Sequence, residues 1–351
     1  MKEILKATLL AGLLVAATAV ASSAQTFTVL DEPDAGTAAD QGTIAGAINT
    51  AGTIAGTYID ASGIGHGFVR NVAGAYTSYD VPSGYKGGVV TGINTSGVIT
   101  GYLTDTGGVR HGAVRSKTGT ITTFEAPGSG TGNDQGTFGF AINTAGTITG
   151  WYFDSNGVHR GYVRSKTGVF TDFDVTGAGT SKSQGTIPAA INTAGTITGS
   201  ERDSGGVYHG FERTASGTIT TFDVTGAGTG NGQGTIAAGI NTAGTIAGWY
   251  SDASGMGHGF VRSKTRVITS FDPAGSVATI VFGINTSGEI TGVYGTSSGA
   301  SYGFVRNAKG AITSFELPGT TGVLMGINTA GDVSGYYQDS GSVYHGYLFV
   351  P

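Results

Sequence analysis

Short apolar stretches alternate along the chain with clusters of Gly, Ser, Thr, Asn and Asp, and no stretch after residue 24 carries the 3.6-residue apolar stripe of a surface helix. Residues 239–273 show the arrangement most completely. One apolar run ends at Ile240, and Asn241-Thr242-Ala243-Gly244 places Asn and Gly where a tight turn needs positive φ. A second run, 245–251, is closed by Asp252-Ala253-Ser254-Gly255; a third covers 258–262 and a fourth 267–271. This predicts four short antiparallel strands joined by turns.

The same unit recurs. Ile-Asn-Thr, a small residue and Gly are centred on Asn49, Asn94, Asn143, Asn192, Asn241, Asn285 and Asn328, at steps of 45, 49, 49, 49, 44 and 43 residues. Each is followed in fixed order by a run ending in aromatics and often Asp, a turn, a His-Gly-Phe-Val-Arg type run and Thr-x-Phe-(Asp/Glu). Four strands in about 45 residues is the size of a propeller blade. The expected fold is therefore all-β, a seven-bladed β-propeller of four-stranded antiparallel blades. The last unit stops after its third run, at 344–349, while 26–33 resembles 311–318 in alternation and in the acidic residue before proline. The N-terminal strand is expected to complete the last blade and close the ring, making 25–351 one domain.

Ile-Asn-x-x-Gly turns with His-Gly-Phe at one fixed place per unit resemble the HAF-repeat family of bacterial extracellular proteins, over essentially all of 26–350, with Gly here where the family signature has Ala. The resemblance implies secretion and a repeat fold, and no agreed activity.

Composition narrows the partners. Lys2 and Lys6 before an apolar run from Ala7 to Ala21, then Ser22-Ser23-Ala24, read as a signal peptide over 1–24 cut after Ala24, so the chain is expected to be secreted, periplasmic or at the cell surface, with no membrane span in the mature chain. Without cysteine it has no disulfides or thiolate chemistry. Eighteen Lys plus Arg against 23 Asp plus Glu leave no general excess to neutralise nucleic-acid phosphates. No cofactor or metal is expected, and the protein is expected to be a monomer.

Six histidines fall in or beside one slot: His66, His111, His209, His258 and His345 before Gly, and His159 displaced by Arg160; Tyr302 fills the slot of the sixth unit. An acidic residue closes the second strand as Asp60, Asp105, Asp154, Asp203, Asp252 and Asp339, with Thr296 in the sixth unit. Asp and His are lost together, which predicts a structural hydrogen bond across the turn. Arg70, Arg115, Arg164, Arg213, Arg262 and Arg306 recur two places after the aromatic slot and are expected in a solvated or blade-edge role. Candidate ligand contacts are Trp151 and Trp249 for stacking on a sugar, with Asp154, Asp252 and the loop residues Gln135, Gln184 and Gln233. The fourth unit breaks the pattern with Glu201 and Glu212 where others have an aromatic residue and Val, so Glu201, Glu212 and His209 are the candidate acid/base set.

The expected function is non-catalytic binding of a glycan or cell-surface protein through the loop face. The alternatives are a polysaccharide lyase or glycoside hydrolase on that face, and a purely structural surface protein.

Overall fold

The computed structural model describes residues 25–317, 319 and 321–351; the expected export signal at 1–24 lies outside the described residues. These form 28 strands and, among the described residues, no helix. In the fifth unit the strands are Gly234–Ile240, Ile246–Ser251, Gly257–Arg262 and Ile268–Phe271, each paired antiparallel with the next. In the first and fifth units the first two strands are almost wholly buried and the fourth is half exposed, so the first strand lies inside the fourth. Four such quartets share a 16-stranded sheet, but neighbours in it touch through a single parallel pair each: Gly136 with Arg110, Gly185 with His159 and Gly234 with Tyr208. It is a chain of small sheets joined at one corner rather than one continuous surface.

Each first strand carries a bulge at the same place, as between Ala237 and Gly239, or Pro188 and Ala190. A bulge bends its strand and raises the twist. It also lets Pro188 sit inside an inner strand, since the ladder is already interrupted there. Each second strand holds a glycine against the first; a Cβ at Gly248 would collide with the Ile236 carbonyl oxygen and the Phe260 ring. That close approach is what seats a fully buried ring on the third strand: Phe68, Tyr162, Phe211, Phe260, Phe304 and Tyr347. In the second unit Ala113 takes that place and a cavity of about 40 Å³ remains.

The Asn of each Ile-Asn-Thr turn is buried, and in five units it bonds in two directions, while Asn328 turns its Nδ2 to Asp332 of its own turn. Asn143 Oδ1 accepts from the Thr147 amide at 3.0 Å, closing its own turn, with Gly146 at φ +84°. Its Nδ2 donates to the Asn192 carbonyl of the next unit at 3.2 Å. The same donation runs from Asn49 to Asn94, Asn94 to Asn143, Asn192 to Asn241 and Asn285 to Asn328. All seven Ile-Asn-Thr segments line one cavity of about 260 Å³.

The first strand, Thr26–Leu30, pairs antiparallel with Tyr344–Val350, in register from Thr26 opposite Val350 to Leu30 opposite Gly346. Phe27 stacks on Tyr347 at 4.9 Å, and Leu30, 2% exposed, packs in the first unit's core with Ile48, Ile54 and Phe68. The N-terminal segment thus belongs to the last quartet by hydrogen bonds and to the first by burial.

Two outcomes are expected. Asn143→Asp removes the donor and sets a carboxylate against a carbonyl oxygen in a buried place, so chemical denaturation should show a loss of roughly 2–4 kcal/mol. Burial of Leu30 alone is worth roughly 1.5–3 kcal/mol, so deleting 26–33 should lower the melting temperature clearly, and an unchanged melt would contradict the pairing.

Candidate functional site

Antiparallel order sends the second-to-third turn and the fourth-to-first loop of every unit to the same end of its strands. Contacts agree: Gln41, Gln135, Gln184 and Gln233, in the fourth-to-first loops, donate Nε2 to the carbonyls of Ala61, Ser155, Ser204 and Ala253, in the second-to-third turns. Their Oε1 atoms accept loop amides from Ala38, Gly132, Ser181 and Gly230. Their backbone carbonyls take the amides of Tyr344, Arg110, His159 and Tyr208 on the preceding unit. Gln135, Gln184 and Gln233, candidate ligand contacts by sequence, are therefore committed to holding loops and joining units.

The His slot is a clamp with two carboxylates. His66 meets Asp60 at 3.2 Å through Nε2 and Asp80 at 2.8 Å through Nδ1; His258 meets Asp252 at 3.4 Å and Asp272 at 2.8 Å. His209 lies between Asp203 and Asp223, and His111 between Asp105 and Glu125. His345 lies between Asp339 and Asp31, the latter 314 residues away on the N-terminal segment. Arg160, not His159, fills the slot in the third unit, bonding Asp154 at 3.3 Å and Asp174 at 2.7 Å. The sixth unit substitutes a ring stack, Tyr294 on Tyr302 at 5.3 Å. Each turn Asp also caps its own turn: Asp252 Oδ1 accepts from the amides of Ser254 and Met256. Asp154 and Asp252 are thus saturated by their own units and are not presented to a ligand.

The second carboxylate of the clamp was not singled out from sequence, although the constant separation of 14 residues between His and the acid after Thr-x-Phe was there to read. Hydrogen bonds from Ser254 and its own turn hold Asp252 down at about 2, with His258 adding to them. Burial alone would lower His111, His209 and His258, but their carboxylate partners outweigh it and raise all three.

Glu201 and Glu212 do not form a pair. Glu201 is opposite His209 and Glu212 opposite Thr198, three register positions apart, so the two carboxylates project from opposite faces of the sheet. Glu212 bonds the buried Arg262 of the next unit at 2.9 Å. Glu201 occupies a place where Tyr58, Tyr250 and Tyr337 stack on their histidines, is 3% exposed, and its Oε2 has no hydrogen-bond partner. Burial pushes it up to about 7; His209 opposes the shift while Asp203 and Asp223 add to it.

Five of these arginines pack between units rather than standing free in solvent. Arg213 and Arg262 are buried, and Arg115, Arg164, Arg213, Arg262 and Arg306 lie 4.2–4.8 Å from the centres of Tyr79, Phe124, Phe173, Phe222 and Phe271 on the preceding unit. They are part of the packing between units.

One cleft breaks the repeat. On the loop side a cavity of about 840 Å³ is walled by Tyr102, Phe138, Trp151 and Phe153 and rimmed by Asn133, Asn156 and Lys182, with Ser155 and Ser183. Trp151 stacks on Phe138 at 5.3 Å and 12°, Phe138 meets Tyr102 at 4.8 Å, and Arg110 covers Phe138 at 5.2 Å while bound to Asp134 at 2.8 Å. His159, freed from the clamp by Arg160, also lines the cleft. Its Nδ1 is 3.1 Å from the Gln184 carbonyl, so Nδ1 carries the proton; burial lowers its pKa, leaving the neutral ring's Nε2 as an acceptor. Trp249, its counterpart in the fifth unit, faces Ile236 across the strands and lines no such cleft. No cluster of His, Cys, Asp or Glu able to hold a metal occurs among the described residues, nor any helix long and apolar enough to cross a membrane.

The shifts fix a pH dependence. Glu201, with its folded pKa raised, favours the folded state fully below about 4.5 and loses that contribution as pH rises to about 7. The raised histidines act in the same sense, their contribution present below about 6.5 and lost as pH climbs through the raised values. His159, lowered by burial, opposes this, but Glu201 and the three raised histidines outnumber it, so the melting temperature should fall from pH 5 to 8, and Glu201→Gln should flatten part of that slope and raise stability above pH 7; an identical pH profile in the variant would contradict the burial of a titrating Glu201.

No family model and no curated protein matches the sequence. Solved structures do resemble it. Virginiamycin B lyase from Staphylococcus aureus superposes with a TM-score of 0.60 at 16% identity, covering 93% of this chain and 100% of that one. The BP39L lectin from Burkholderia pseudomallei gives 0.56 at 10% identity over 85% and 92%, and TolB from Acinetobacter baumannii 0.50 at 11% over 93% and 79%. At such identities the likeness concerns the scaffold alone, and that scaffold is a β-propeller.

Proposed function

We propose that this chain is an exported, seven-bladed β-propeller, closed by its N-terminal strand, that binds an uncharged glycan through the Trp151 cleft without catalysis. The blade count is supported by seven antiparallel quartets and by the one cavity that all seven Ile-Asn-Thr segments line; closure is supported by the register of Thr26–Leu30 against the last strand. Export rests on the charge and apolar pattern of residues 1–24, and kinship with HAF-repeat proteins on the recurring Ile-Asn-x-x-Gly and His-Gly-Phe segments.

The aromatic wall carries the functional reading. The Trp151 position carries Thr57, Tyr102, Ser200, Trp249, Val293 and Tyr336 in the other units; in units two and three Tyr102 and Trp151 are joined by Phe138 and Phe153, which extend the surface. An apolar ring face bordered by amides, hydroxyls, one neutral imidazole, the Arg110–Asp134 pair and Lys182 suits a pyranose, whose axial C–H face stacks and whose hydroxyls both donate and accept. The volume lies within the usual range for small-ligand clefts. The BP39L lectin shows that a propeller of this general shape can carry lectin activity. A hydrolase reading loses its carboxylate pair, since Glu201 and Glu212 face opposite ways.

A glycan array with the mature protein should show binding to neutral oligosaccharides that falls roughly tenfold in Trp151→Ala and stays unchanged in Trp249→Phe. Folded protein whose binding is indifferent to Trp151→Ala would overturn the reading.

A further inference from the structure

The other end of the strands, where first-to-second and third-to-fourth turns gather, has a different character. Lys117, Lys166, Lys264, Arg266 and Lys309 are all exposed there, at or beside the tips of third-to-fourth turns. The tips are held rigidly: in Ser116-Lys117-Thr118, Ser165-Lys166-Thr167 and Ser263-Lys264-Thr265 the serine Oγ accepts the amide of Thr120, Val169 and Val267 and bonds the neighbouring threonine hydroxyl. Beneath them lies the arginine layer. Among the described residues the acidic side chains at this end are Glu212, Glu289 and Asp332, and each is engaged, with Arg262, Asn285 and Asn328 respectively. The clamp aspartates and the rest of the acidic side chains lie toward the loop end. The ring is therefore electrically two-sided, although its formal charge is only -5.

The arginines add a second layer of positive charge. Arg115, Arg164, Arg213 and Arg306 make no ion pair among the described residues, and the Nε of each is buried without a hydrogen-bond partner. Burial lowers Arg164, Arg213 and Arg306. Arg164 and Lys166 border a groove of about 530 Å³ between the second and third units, where hydroxyls including Ser96, Ser116, Thr118 and Thr144 alternate with Val98, Val114 and Ile148.

We propose that this basic face binds a polyanionic polysaccharide, with the Arg164–Lys166 groove as one subsite and the lysine-tipped turns around the ring as the others. A sugar polymer fits better than a lone ion on two grounds. The groove offers hydroxyl partners as well as cations, and the cations repeat at intervals around the rim, so a chain carrying one carboxylate per residue gains from each contact in turn. This site is separate from the Trp151 cleft, at the opposite end of the strands.

The probe is sodium polygalacturonate, with its fully methyl-esterified form as the uncharged control, titrated into the mature protein at low ionic strength. The parent should bind the acid polymer and not the ester, and lose affinity as salt is raised. The variant carrying Lys117→Glu, Lys166→Glu and Lys264→Glu, all at exposed turn tips, should melt like the parent and bind roughly tenfold more weakly or not at all. Trp151→Ala should bind the acid polymer like the parent, which separates failure here from failure of the loop-face reading. Absence of binding by the folded parent, equal binding of the ester, or indifference to the three charge reversals would overturn the proposal. So would capture by phosphatidylglycerol vesicles without binding to the polymer, or salt-sensitive self-association that the charge reversals abolish in the absence of polymer.

Discussion

A single primary amide per repeat ties the architecture together. In five units the Asn of the first turn satisfies its own turn through Oδ1 and its neighbour's carbonyl through Nδ2, and only a side chain with both an acceptor and a donor on one rigid plane can do so from a buried position. Asp has no donor, and Ser is too short to span both. Because the next unit offers its own Asn carbonyl to the same contact, the spacing between units is set by hydrogen-bond length near the axis, and the remaining geometry follows outward: a bulged inner strand, a glycine pressed against it, and a buried ring beyond.

That regularity consumes most of the residues that look chemical. The histidines, turn aspartates and loop glutamines are bound within or between units, and the arginines stack between units. What remains for a ligand lies where the repeat is broken or where its charges are uncompensated. Replacement of the slot histidine by Arg160 in the third unit frees His159, and the bulky first-strand Phe138 beside Trp151 opens an aromatic cleft found nowhere else on the loop side among the described cavities. The fourth unit's Glu201 is the opposite case, an irregularity that weakens the fold at neutral pH and gathers no partners around it.

Much of the fold was legible because local chemistry and long-range pairing agree. In the fifth unit the expected strands match the observed ones to within a residue at each end, since Asn-Gly and Asp-Gly turns mark the limits independently of tertiary contacts. The partnership of the first strand with the last could be read from matching alternation. Three features could not. Strand parity separates Glu201 from Glu212, and parity depends on register that adjacency in sequence does not reveal. The burial of Arg213 and Arg262 depends on aromatic residues contributed by the preceding unit about 40 residues earlier. The cleft wall joins Tyr102, Phe138 and Trp151 from two units, and Phe138 carries no motif of its own.

The most direct measurement uses the chain's own reporters. It has two tryptophans, so Trp249→Phe leaves Trp151 as the sole indole. Titrating that variant with a neutral oligosaccharide selected on an array should shift and quench the emission saturably, with a midpoint equal to the calorimetric dissociation constant. Calorimetric binding with no change in Trp151 emission would place the ligand elsewhere and contradict the assignment of the cleft.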